Sequence, residues 1–272
     1  MPAPVNLFKK ALREDTGLLT GLWVALANPH SAEICAGAGF DWILIDAEHG
    51  PNDIPLIAAQ LAAVTRHAAH PVVRLPVGEP WLIKQALDIG AQTLMIPMVE
   101  TAEQATLLAK ALRYPPFGIR GMGASLGRAS NFGRIADYAE TADDQVCLIG
   151  QIESRLGVEN VDAIVATEGV DAILIGPADL SADMGYGGKA IVPEVMETVE
   201  MLIGKIKAAG KPAGIMTGDP EMIALARRAG VRFMANGTDT WLLANAAAAM
   251  AAQMRNPDVA SKDGASSGST GY

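Results

Sequence analysis

The chain has 272 residues, half of them hydrophobic and only 5% aromatic, and a formal net charge of −9. That length suits one domain, whose core must be built from Ala, Val, Ile, Leu and Met. The sequence holds no Lys/Arg-rich run, which argues against a nucleic-acid partner, and no apolar run approaches the roughly 18 residues of a membrane span.

From the amino terminus onward, short apolar runs alternate with helical patterns. Met1–Lys10 has no long apolar stretch, so no secretory signal and a cytoplasmic location are expected. Strands are predicted at Gly21–Leu26, Trp42–Asp46, Val72–Leu75, Thr93–Met98, Cys147–Ile152, Ala172–Ile175, Ala213–Met216 and Arg232–Asn236. Most are continuous apolar runs, the mark of strands covered on both faces. Each is followed by a predicted helix: Ser31–Ala38, Asp53–Ala69, Pro80–Ile89, Thr101–Leu112, Arg155–Thr167, Pro193–Ala209, Asp219–Ala229 and Thr240–Gln253.

Local signals agree with this alternation. Thr101-Ala-Glu-Gln104 reads as a capping box, and Pro193 and Pro220 suit a first helical position. Gly39, Gly90, Gly169 and Gly230 each fall between a helix end and a strand. Eight such units predict a single closed (β/α)8 barrel over residues 1–256, with a Ser/Gly-rich, disordered tail over 257–272. A doubly wound open sheet is the alternative, but Asn28-Pro29-His30 stands where its glycine fingerprint belongs. Cys35 and Cys147 fit no ligand spacing and read as buried thiols, and the Asn236-Gly237-Thr238 sequon reads as chance. The long Gly- and Pro-bearing connection Tyr114–Thr141 is expected to be an active-site loop or a mobile surface loop.

Barrel catalysis sits at the carboxyl ends of strands, which makes a short list. The second strand runs into Asp46-Ala47-Glu48-His49-Gly50, the third ends near Arg74, the fifth runs into Gln151-Ile152-Glu153, and the sixth into Gly176-Pro177-Ala178-Asp179. Glu153 and Asp179 form a carboxylate pair suited to a hard divalent cation. For either alone, a helix N-terminal position is the competing reading. Arg74 breaks an apolar strand and needs an anionic partner, either a ligand oxyanion or Asp46 or Glu48. His49, beside these carboxylates, is a candidate general base; a structural role is its alternative. His67 and His70 read as late in the second helix, at the surface. The turn Gly176–Ser181 has small residues that let backbone N–H groups approach a ligand carboxylate.

Five segments in register carry a family resemblance: Ile45-Asp-Ala-Glu-His-Gly-Pro-Asn52, Val73-Arg-Leu-Pro76, Arg113-Tyr-Pro-Pro-Phe-Gly-Ile-Arg-Gly121, Gln151-Ile-Glu153 and Gly176-Pro-Ala-Asp-Leu-Ser181. Trp42 and Lys84–Gly90 also fit. With them the chain, from about Leu7 to Met254, resembles the HpcH/HpaI class II pyruvate aldolases. The resemblance implies reversible cleavage of a 4-hydroxy-2-oxo acid to pyruvate and an aldehyde through a metal-stabilised enolate, in aromatic or sugar-acid catabolism. It implies a divalent metal (Mg2+, Mn2+ or Co2+) on Glu153 and Asp179 and no organic cofactor. Gln151 and the Gly176-Pro177-Ala178-Asp179 backbone would hold pyruvate. Arg74 would stabilise the enolate, and His49 would be the base, oriented by Asp46. Asp88 would raise the basicity of that histidine, reaching in from a neighbouring subunit. Met216 would face the aldehyde. The family fold further implies a homo-hexamer that exchanges its last helix. No strand-end lysine is present for Schiff-base chemistry.

Two other readings are weighed. A CoA-dependent lyase of the malyl-CoA or citryl type would need a basic groove for the phosphates, and the sequence shows no such cluster. A non-catalytic ligand-binding barrel would tolerate loss of Glu153, Asp179, Arg74 or His49, and all four are present.

Overall fold

The computed structural model describes residues 2–14 and 17–255. The expected tail, 257–272, lies outside the described residues.

Eight parallel strands close into a barrel in sequence order. They are β1 (Leu19–Val24), β2 (Trp42–Asp46), β3 (His70–Arg74), β4 (Thr93–Ile96), β5 (Cys147–Ile152), β6 (Ala172–Ile175), β7 (Ala213–Met216) and β8 (Phe233–Thr238). The helices are α1 (Leu7–Arg13), α2 (Pro29–Ala36), α3 (Ile54–Val64), α4 (Pro80–Asp88), α5 (Ala102–Leu112), α6 (Tyr138–Thr141), α7 (Arg155–Glu159), α8 (Val161–Ala166), α9 (Pro177–Asp183), α10 (Pro193–Ala208), α11 (Pro220–Ala229) and α12 (Asp239–Arg255). The closed α/β barrel expected from the alternation is therefore present, and the open-sheet alternative falls with the β1–β8 pairing.

The differences have physical causes. β4 stops at Ile96 because Pro97 follows and Met98 takes a left-handed backbone, φ 52°. The helix expected over Arg155–Thr167 is divided at Asn160 into α7 and α8. Gly176–Ser181 is not a bare turn: Gly176 precedes α9, with Pro177 at its first position. His70 opens β3 instead of ending a helix, stacked on Phe8 with 5.9 Å between ring centroids. α1 had no counterpart in the predicted elements. At Thr101 only half of the capping box forms, since the Gln104 side chain accepts from Glu100 N–H (2.8 Å).

Four aromatic rings meet inside the barrel. Phe8, Trp23, Trp42 and Phe233 pack with Leu44, Val72 and Ile149, and centroids 5.8–5.9 Å apart place Phe8 against Trp42 and Phe233. Two glycines make the room. A Cβ on Gly21 would lie 2.2 Å from the Trp42 ring, and one on Gly214 2.2 Å from the Phe233 ring. Phe8 thus seals the amino-terminal end of the barrel, leaving the carboxyl ends of the strands as the open mouth. The larger aliphatic layer, including Ile57, Leu61, Leu108, Leu202 and Ile206, lies between barrel and helices. Cys35 and Cys147 are buried free thiols. Among the described residues no helix is long and apolar enough to cross a membrane.

Candidate active site

The mouth is built from consecutive strand ends. Asp46 is the last residue of β2 and pairs in register with Arg74, the last residue of β3. That register puts the two side chains together: Arg74 Nε and Nη2 donate to Asp46 Oδ1 and Oδ2 at 2.9 and 2.8 Å. Arg74 Nη1 lies 2.7 Å from Glu48 Oε2, a charge contact without hydrogen-bond alignment, because that oxygen accepts no bond of good geometry. The Trp23 ring sits 5.4 Å from the guanidinium carbon. Arg74 is buried and held on several sides, so the ion-pair reading is realised with both Asp46 and Glu48.

The loop after β2 is wound tightly. Gly50 packs so closely that a Cβ there would lie 2.4 Å from the Asp46 carbonyl, which also accepts from Asn52 Nδ2 at 2.6 Å. This turn leaves His49 exposed at the mouth, with Nε2 4.0 Å from Glu48 Oε2. Asp46 has both oxygens on Arg74 and one also on Glu48 N–H; the structure does not bring it to His49. Glu48 is the carboxylate beside the histidine.

Glu153, just beyond β5, is 3% exposed. Its carboxylate accepts from Met98 N–H at 2.9 Å and from the Gln151 side-chain amide. It caps no helix; Ser154 does that for α7. The sixth strand is shaped around it: a Cβ on Gly176 would lie 2.5 Å from Glu153 Oε2 and 3.2 Å from Gln151 Nε2. Only glycine lets the β6–α9 connection close over this carboxylate. Asp179 is exposed in the first turn of α9, after buried Pro177 and exposed Ala178. Met216, half-buried at the end of β7, packs against the barrel interior.

The electrostatics mark this cluster. Burial, and then the neighbouring Asp179 and Glu48 charges, push Glu153 up to about 7, against the opposing Met98 N–H bond. Burial likewise raises Glu48, which Asp46 and Asp179 reinforce and Arg74 and His49 oppose. Gln151 Oε1 is buried without a protein partner. Crowded carboxylates beside an unsatisfied carbonyl suit a cation with oxygen ligands. Among the described residues no group of three or more His, Cys, Asp or Glu is spaced to hold a metal. The protein's own share of a coordination shell would be the Glu153/Asp179 pair, the rest coming from water and ligand oxygens.

Two motif-bearing regions lie away from the mouth of their own chain. Asp88 ends α4, and a helix following a strand runs back to the barrel's amino-terminal end, away from His49 of the same chain. There it pairs with buried Arg120, Nη2 to Oδ1 at 2.7 Å, and that guanidinium lies 4.5 Å from the Tyr114 ring centroid. The Tyr114–Thr141 connection joins the end of α5 to the start of β5, so it too occupies the closed end. It does not line the mouth of its own barrel; Gly127 packs on the Asp88 backbone instead. Met98 and Trp23 are mouth residues that the sequence reading did not single out. The only sequence signal for Met98 was the Pro97 that ends its strand.

The parallel eight-stranded barrel thus carries an arginine and paired carboxylates at its carboxyl-terminal mouth. Residues 19–246 match the family model described as HpcH/HpaI aldolase/citrate lyase, and the chain belongs to that family. It is 52% identical to the hydroxypyruvate/pyruvate aldolase of Roseovarius nubinhibens, over 95% of this chain and 100% of that one. It is 48% identical to the 4-hydroxy-2-oxo-heptane-1,7-dioate aldolase of Klebsiella pneumoniae, over 91% and 93%. A crystal structure of a family member from Burkholderia cenocepacia superposes with a TM-score of 0.88 at 40% identity, covering 93% of this chain and 100% of that one.

Proposed function

We propose that this aldolase is dependent on a divalent metal (Mg2+, Mn2+ or Co2+) and cleaves a 4-hydroxy-2-oxo acid reversibly to pyruvate and an aldehyde. Hydroxypyruvate is a second proposed donor, since relatives about half identical are named for both acids. The observation that carries this reading is the Arg74 guanidinium, clamped by Asp46 and Glu48 at the same mouth as the Glu153/Asp179 pair.

Glu153 and Asp179 would hold the metal, which supplies Lewis acidity to the 2-keto oxygen. Gln151 and the backbone of Gly176, Pro177, Ala178 and Asp179 would cradle the substrate carboxylate. In cleavage His49 takes the 4-hydroxyl proton, and the C3–C4 bond breaks. Its electron pair forms the C2–C3 double bond of an enolate, and C4 becomes the aldehyde carbon. Arg74, pre-aligned by its carboxylate partners, donates to the oxygen on which charge develops. A proton added at C3 then gives pyruvate. Met216 at the rim would contact the aldehyde portion.

The proposed cell location is the cytoplasm. The proposed assembly is a homo-hexamer that exchanges α12, in which Asp88 of one subunit serves His49 of another. α12 supports this: Trp241, Leu243, Met250 and Met254 are each more than 60% exposed. The deciding experiment combines pyruvate or hydroxypyruvate with a panel of aldehydes, before and after EDTA, with each metal added back. Loss on chelation and recovery with metal is expected; full metal-free turnover refutes the mechanism.

A further inference from the structure

No run of basic residues exists in the sequence, yet the fold assembles a basic cleft from separate segments. It has a volume of about 460 Å3 and is lined by Lys9, Arg13, Lys207, Lys211 and Arg232, with Asp171 as the one carboxylate among its described lining residues. Lys9 and Arg13 come from α1 and Lys207 from the last turn of α10. Asp171, Lys211 and Arg232 come from the short connections entering β6, β7 and β8. Every contributor therefore sits at the closed, amino-terminal end of the barrel, opposite Arg74 and Glu153. It is a different site from the catalytic mouth.

The carboxylate in it is already committed. Asp171 Oδ2 accepts from Leu148 N–H at 3.0 Å, and Oδ1 lies 3.3 Å from Lys9 Nζ and 3.4 Å from Arg13 Nη2. Lys207 and Lys211 are held differently. Their ammonium groups donate to the carbonyls of Ala229 and Val170, both at 2.7 Å. A carbonyl fixes the position of an ammonium without neutralising it, and each ammonium has three donors, of which these bonds use one. Two anchored charges thus face a concave space within the range of small-ligand pockets, about 300–1,000 Å3. On a protein of net charge −9, such a cleft concentrates positive potential locally. Compact ammonium charges suit phosphate oxygens.

We infer that this cleft is a second ligand site, which takes a small phosphorylated polyanion with Lys207 and Lys211 as its principal contacts. The inference is independent of the reaction at the mouth.

The test is isothermal titration of the full chain at low salt with inorganic phosphate and with fructose 1,6-bisphosphate, compared with the Lys207→Gln/Lys211→Gln variant. The bisphosphate should bind at one site per chain, more tightly than phosphate. The variant should weaken it about tenfold or more, equivalent to about 1.4 kcal/mol, while aldolase turnover without the anion stays at the wild-type rate. Absence of saturable binding, or equal binding by variant and wild type, overturns the assignment. Should the double variant fail to fold by circular dichroism, Lys211→Gln alone is titrated across a salt series. A salt dependence shallower than that of the wild type is then expected, and an unchanged affinity and slope overturn the assignment equally.

Discussion

Arg74 and Asp46 are joined by two parallel hydrogen bonds, Nε to Oδ1 at 2.9 Å and Nη2 to Oδ2 at 2.8 Å, across the β2–β3 pairing. The guanidinium is thus oriented by the fold before any substrate arrives. Arg74→Lys should keep a charge but lose this two-point alignment. Turnover is expected to fall about 100-fold or more, roughly the loss of one oxyanion donor. Arg74→Ala should also lower stability by about 3–5 kcal/mol, because Asp46 would be left buried without its cation. Steady-state kinetics and denaturant unfolding on both variants check this; normal turnover in Arg74→Lys removes the role.

Asp179→Asn should raise the metal dissociation constant and reduce turnover while leaving the fold intact, since Asp179 is exposed on the first turn of α9. Direct metal titration reads the first effect. Metal affinity equal to that of the wild type would take Asp179 out of the coordination shell.

The distance between Asp88 and His49 within one chain yields a complementation test. Separately, His49→Ala and Asp88→Asn should each be nearly inactive. If subunits share sites, mixing them under subunit exchange should restore activity in part, because some mouths regain both groups. No recovery, with mixed oligomers demonstrated, would end the shared-site proposal.

His70 predicts a response to acid. Burial lowers its pKa from 6.5 to about 4. Between those values the unfolded chain binds more protons than the folded one, so stability falls as pH drops from 6.5 towards 4. The full effect is about 3 kcal/mol at most. His70→Asn should lose less stability across that window, measured by unfolding at several pH values. Identical slopes for the two proteins would contradict the burial argument.

Phe8→Ala should destabilise the protein by about 3–5 kcal/mol through a cavity at the barrel floor, with kcat preserved because the ring is remote from the mouth. An unchanged melting temperature would show that α1 does not seal the barrel.

Much of this was legible in the sequence, for identifiable reasons. The strands showed because both their faces are apolar, and the Glu153, Asp179, Arg74 and His49 positions showed because barrel chemistry gathers at strand ends. What stayed hidden depends on direction and depth. Asp88 and the Tyr114–Thr141 connection carry motif residues, but a helix reverses the chain and delivers both to the closed end. α1 was missed because seven residues, Leu7–Arg13, carry little periodic signal, though Phe8 anchors them. The basic cleft was invisible because its cations are scattered from Lys9 to Arg232. Met98 supports Glu153 through its backbone N–H, a role that leaves no trace in side-chain identity.

The fit of Gly21 to Trp42 and of Gly214 to Phe233 bears on how this barrel can change over time. A side chain cannot appear at either glycine while the opposing ring stays, and a ring cannot shrink without opening a void beside its glycine. Each position is therefore heritable only with its partner. Related barrels that drift here should exchange ring and glycine together, as linked substitutions at positions well separated along the chain.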